Sequence, residues 1–181
     1  MPIDLVDIPA AVSDYLGSQV TTTVSPVIPK PGQGVLTPGQ AGTFTVTATN
    51  AGSPDGVRLI NVAFHVKISD DTVAQLIVPD SAIVSSYATL ASVTPLTPGS
   101  SHPAMFLRTH AGTTLDVGDI QPPIHIDVHC LDKGDAKITC HIHADIDESD
   151  LFPNSQNPNG EQTITVLCSP ATPASRREEI R

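Results

Sequence analysis

Between Gly42 and Gly52 the chain alternates strictly. Thr43, Thr45, Thr47 and Thr49 take the odd positions, and Phe44, Val46 and Ala48 the even ones. A period of two places the apolar side chains on one face of an extended chain and the hydroxyls on the other. Threonine is β-branched and favours a pleated, half-buried surface over a helix. Asn50, Ala51 and Gly52 end the run with turn-forming residues. The stretch therefore reads as a strand with one face for a core, and it carries no reaction chemistry.

The same grammar recurs along the chain. Val20 to Ile28 reads as a first strand, interrupted at Pro26, and Thr37 to Gln40 as a turn. From Val57 to Ile68 the residues Ile60, Val62, Phe64, Val66 and Ile68 share one face, with Asn61, Ala63, His65 and Lys67 on the other. Thr72 to Val78 is expected to continue that strand as a short neighbour. Ser81 to Leu90 fits a strand or a helix, Thr94 to Pro103 a surface loop, and Ala104 to Thr109 a further strand. Ile124, Ile126, Val128 and Cys130 alternate with His125, Asp127 and His129. A second run from Ala136 to Ile146 alternates with Lys137, Thr139, His141, His143 and Asp145. Thr163 to Cys168 is the last strand. Seven or so short strands separated by turns predict an all-β antiparallel sandwich.

The domain plan is an N-terminal arm or short helix over 1–18, a sandwich over 19–169 with an irregular insertion at 80–112, and a polar tail over 170–181. Asp7 and Pro9 supply helix-start chemistry in the arm. A domain of roughly 150 residues buries about 70% of its unfolded surface, enough for a core without staples. Trp is absent and aromatics are 3%, so that core must be built from aliphatic residues. The formal net charge of −10 opposes binding to phosphate backbones or anionic membrane surfaces. No apolar run is long enough to span a bilayer as a helix. The first residues carry acids where a signal peptide carries lysines, which predicts either a protein not exported by that route or an exported fragment.

Cys130, Cys140 and Cys168 are odd in number and lack C-x-x-C spacing. Each falls at an apolar position of an alternating run, so buried free thiols are expected. One disulfide with a spare thiol is the alternative.

Three stretches resemble, in order, the bacterial conserved-repeat immunoglobulin-like domains of surface and secreted proteins. Residues 38–52 resemble the family's threonine-rich strand ending in Asn and Gly. Leu115 to Ile120, leading into Ile124 to Cys130, is similar to the glycine-centred step before its fifth strand. Ile138 to Asp147, then Asp150, Asn154 and Asn157, then Thr163 to Leu167, resembles its sixth strand, acidic loop and last strand. The resemblance covers about residues 35–168. It implies an immunoglobulin-like sandwich, and proteins of this kind are usually exported tandem modules.

Histidine is the residue type with most chemical promise. If 124–130 and 136–146 formed a direct hairpin, His125 would face His141, with Asp127 and His143 nearby, and such a group suits zinc. Immunoglobulin topology instead assigns the two strands to opposite sheets. His125 and His129 then lie on one outer surface, His141 and His143 on the other, with His65 as the sheet neighbour of the second pair. Asp145, Asp147, Glu148 and Asp150 offer oxygens for calcium but lack the spacing of a dedicated loop. Ser81, Ser85, Ser86, Ser100 and Ser101 lie outside any nucleophile-elbow motif, and His102 adjoins Ser101 only in sequence. No catalytic, cofactor or metal residue is assigned, and no cofactor is expected. The expected role is a non-enzymatic structural or interaction module. It would pack its faces, edges and arms against protein partners or other copies of itself, as in a virion, tail or filament component. The alternative is an exported adhesion or spacer module, stiffened by calcium.

Overall fold

The computed structural model describes residues 20–31, 33–51, 58–80, 83–85, 95–108, 114–146 and 161–170. The arm expected over 1–18, acidic-loop residues 147–160 and the tail beyond 170 lie outside the described residues. So do Ser81 and Ser86.

Among the described residues twelve strands follow in chain order: β1 (Val20–Val24), β2 (Ile28–Pro29), β3 (Ala41–Asn50), β4 (Leu59–Ile68), β5 (Ala74–Ile77), β6 (Ile83–Ser85), β7 (Ser101–His102), β8 (Ala104–Arg108), β9 (Thr114–Leu115), β10 (Ile124–Cys130), β11 (Gly134–Ile146) and β12 (Gln162–Cys168). The first sheet runs β1-β3-β10-β5-β7, with β2 also on β3. The second runs β12-β11-β4-β8-β6, with β9 also on β4. Every pairing is antiparallel. The molecule is an immunoglobulin-like β-sandwich, all-β among the described residues.

The threonine strand behaves as its alternation requires. Phe44, Val46 and Ala48 are buried, and the four threonines are half-buried on the outer face of the first sheet. Facing them across the core are Val62, Phe64 and Val66 of β4, with Ile138 and Ile142 of β11. The burial is aliphatic-rich, as the composition demands. Gly42 is a close-approach position on β3, because Val27, Ile28 and Leu36 pack against it. A Cβ there would lie 2.7 Å from Val27 Cγ1, 3.0 Å from Ile28 O and 3.1 Å from Leu36 Cδ1. Gly42→Ala is therefore expected to push β2 off the sheet at a cost of about 1–3 kcal/mol, read as a lower urea midpoint.

Three expectations need correction. Thr72 to Val78 does not continue β4. An Asx turn intervenes, in which Asp70 Oδ1 accepts from Thr72 N (3.0 Å) and Thr72 Oγ1 (2.6 Å). These bonds hold the Asp70 carboxyl below the usual carboxylate range. The chain then crosses the sandwich, and β5 pairs with β10 in the opposite sheet. Second, the buried face of β4 changes parity near its start. His143 pairs with Ala63 but Asp145 pairs with Ile60, so β4 carries one extra residue there. That bulge turns Leu59 inward, fully buried, and leaves Ile60 half-exposed.

The third correction concerns the cysteines. Cys130 and Cys168 form a disulfide, with Cα atoms 5.8 Å apart, and only Cys140 is a free buried thiol. The connection from β10 to β11 wraps Val73, whose carbonyl accepts from Leu131 N (2.8 Å) and Asp132 N (3.2 Å). Gly134 then pairs with Cys168. These contacts bring the end of β10, in one sheet, over the end of β12, in the other. Burial pushes the Cys140 thiol up to about 12, so it is inert as a thiolate nucleophile at neutral pH.

At the opposite pole, two stretches matched in the family resemblance lock together. Asn50 is fully buried, and its Nδ2 donates to Leu115 O at 3.0 Å. Its backbone N–H donates to Asp119 O (3.0 Å), and its carbonyl accepts from Gly118 N (2.7 Å). Gly118 has φ +88° at the third position of the Asp116–Asp119 turn, which Asp119 N closes onto Asp116 O at 3.0 Å. A left-handed residue there is the type II requirement that glycine meets.

Candidate functional site

The outer faces of the two sheets carry the polar residues. On the first sheet, β10 presents His125, Asp127 and His129 beside Thr45, Thr43 and Ala41 of β3. Asp127 accepts from Thr43 Oγ1 (2.6 Å) and is bridged by Lys30 Nζ (2.7 Å). Partial burial pushes its carboxyl up, but the Lys30 and Thr43 bonds outweigh burial and hold it below the usual range. An open depression of about 460 Å³ lies alongside, with His125 and Asp127 on one wall and residues 77–80 and Gly99 on the other. Its one carboxylate from β10 is already committed to Lys30 and Thr43.

On the second sheet, His65 of β4 pairs directly with His141 of β11 and, on its other side, with Phe106 of β8. His141 Nδ1 lies 3.5 Å from Glu161 Oε2. Burial holds the His65 imidazolium below its ordinary 6.5, and Lys67 and His141 lower it further. The His65 proton therefore favours the unfolded chain. Stability is full above about pH 6.5 and falls as the pH drops through that value. The melting temperature is expected to decline on acidification from about pH 7.5 to about pH 5.5, and less steeply in His65→Gln. Equal slopes for the two proteins would contradict this account of the site.

The histidines thus divide as the opposite-sheet alternative requires. The direct hairpin that would join His125 to His141 does not form, because β10 and β11 belong to different sheets. His143 pairs with Ala63 along the backbone, beside His65 and His141. Among the described residues no group of three or more His, Cys, Asp or Glu is placed to hold a metal ion. Asp147, Glu148 and Asp150 lie outside those residues.

Ser85 is buried in β6. Ser100 Oγ, rather than Ser101, lies 3.0 Å from His102 Nε2, and it also bonds the carbonyl of Thr97 within its own turn. Among the described residues no carboxylate bonds His102, so the pair closes a turn rather than forming a relay. The Lys30–Asp127 pair is not legible in the residues, because it depends on which strands become neighbours. The Ser100–His102 pair is local to one turn and no motif marks it. Nor, among the described residues, is any helix long and apolar enough to cross a membrane.

No protein-family model matches the chain, and no curated protein sequence matches it. Among solved structures, it is similar to a cohesin module of a family 33 glycoside hydrolase from Clostridium perfringens. That match has a TM-score of 0.50 and 7% identity, covering 84% of this chain and 98% of the module. A CARDB domain from Pyrococcus furiosus, solved in complex with di-metal ions, matches with a TM-score of 0.45 and 11% identity, over 83% of this chain and 93% of that one. The C-terminal domain of an AgI/II polypeptide from Streptococcus agalactiae matches at 0.41 and 14%, over 83% and 49%. At such identities the likeness concerns the fold alone, and that fold is the immunoglobulin-like sandwich.

Proposed function

We propose that this chain is a non-enzymatic structural or interaction module serving as one subunit of a larger protein assembly. The reading is carried by the fate of its polar groups. Asp127, Lys30, Thr43, Ser100 and Asn50 each hold a strand or a turn in place. His125 and His129 stand in one sheet and His65 and His141 in the other, so these four do not converge. What remains to act is surface: two broad sheet faces and their edges. In this reading residues 1–18 and 170–181 are docking arms on a sandwich spanning 19–169, with 80–112 as an insertion. The partners are proteins rather than nucleic acid or membrane, in keeping with the charge of −10. A virion, tail or filament component has this make-up. Sedimentation of the native source extract, with the chain followed by antibody, tests it. The chain is expected far above its monomer mass, and a purely monomeric profile would overturn the reading.

The buried disulfide favours a second reading, an exported adhesion or spacer module of the conserved-repeat type. Structural disulfides persist mainly in oxidising compartments. The native gene start separates the two readings. An upstream signal sequence or tandem copies of the domain favours export.

A further inference from the structure

We propose that the outer edge of β12 pairs with the same edge of a second copy of this chain, antiparallel about Thr165. The inference rests on the assembly reading above and names its surface. Among the described residues β12 closes one end of the second sheet, and its one ladder is with β11. Which of its backbone groups face outward follows from two hydrogen bonds. Ser69 N donates to Lys137 O at 2.9 Å, so Lys137 turns its peptide groups toward the β4 side. The next residues, Ala136 and Ile138, then turn theirs toward Val166 and Ile164 of β12. On β12 itself Ser169 N points away from β11 and donates to Leu36 O at 2.7 Å. Both bonds give the same parity. Thr163, Thr165 and Leu167 aim their N–H and C=O groups out of the sheet, and nothing among the described residues accepts or donates to them.

Unpaired edges attract other strands, and proteins blunt them with proline, charge or brevity. Here β1 breaks at Pro26 and passes to β2, which carries Pro29 beside Lys30. β7 is two residues long and runs into Pro103, and β6 is three residues long. β12 has seven residues, no proline, no charge and no bulge. Its outer face also exposes Leu167, 58% accessible.

A second copy fits this edge through its register. With Thr165 opposite the partner's Thr165, Thr163 faces the partner's Leu167, and Leu167 faces the partner's Thr163. This is the one antiparallel register in which all three outward residues of each strand find outward partners. It covers Leu167 and sets no like charges opposite each other, which matters for a chain of net charge −10. The Ser169–Leu36 bond and Pro170 end the ladder on the far side.

Sedimentation velocity of the full chain, with two variants, tests the proposal. The wild type is expected to dimerise reversibly at micromolar concentrations. Thr165→Pro removes an N–H that no described residue accepts, so it should melt like the wild type yet stay monomeric. Facing hydrogen-bonded residues have Cα atoms about 5.5 Å apart, within disulfide range. T165C is therefore expected to crosslink into a covalent dimer under mild oxidation, with the buried Cys140 thiol unreacted. A wild type that stays monomeric at every concentration overturns the proposal. So does a dimer that survives Thr165→Pro and fails to crosslink at position 165. That last result would leave the assembly reading standing with its contact elsewhere, whereas the native-extract profile decides that reading separately.

Discussion

Reduction of the Cys130–Cys168 bond, or replacement of both cysteines by alanine, is expected to cost about 4 kcal/mol of stability. The chain-entropy estimate gives this for closing a loop of the 38-residue separation. For a domain of this size that is a fall in melting temperature of about 8–16 °C. The magnitude is large because the closed loop is long, and the bond joins one sheet to the other with its cysteines 0% and 1% exposed. Cys140→Ala, by contrast, removes no crosslink, and reductant should leave its effect on the melt unchanged. Circular-dichroism melts with and without reductant check both statements. A wild-type melting temperature indifferent to reductant would show that the bond does not constrain the unfolded chain.

The second large effect is expected at the other pole. Asn50→Asp replaces an amide that donates to Leu115 O with a carboxylate that faces the same carbonyl in a fully buried site. A carboxylate buried against that carbonyl costs about 3–5 kcal/mol. Asn50→Ala, which only orphans the buried partners, should cost about 1–3 kcal/mol. The order of the two is the diagnostic part, because alanine removes more side chain yet should do less harm. Urea unfolding of both variants at neutral pH reads it. An Asn50→Asp protein as stable as Asn50→Ala would mean that the amide is not the tie between β3 and the turn at Gly118.

Much of this architecture was legible in the residues. The alternation from Thr43 to Asn50 specified β3 and its buried face, because side-chain period is a local property. The resemblance that set β10 and β11 in opposite sheets placed His65 beside His141 and kept His125 apart from both. The missed features depend on contacts between segments far apart in sequence. Asp70 and Thr72 look like a surface loop, and nothing local says that the turn they make carries β5 into the other sheet. Leu59 and Ile60 are interchangeable by hydropathy, and only the bulge opposite Asp145 decides which faces the core. Cys130 and Cys168 each looked like a small core residue. Their pairing follows from how Val73 anchors the crossover between β10 and β11. The polar pairs on the outer faces were illegible for the same reason, since Lys30 and Asp127 stand 97 residues apart.

The claim that this sandwich acts through contact with other protein chains is tested most directly by amide hydrogen exchange. The chain within its native assembly would be compared with the isolated monomeric chain. Added protection is expected on outward-facing backbone groups that no described residue bonds, above all at Thr163, Thr165 and Leu167. Val166 and Ile164, already bonded to β11, should change little. An exchange map identical in both settings would contradict the account.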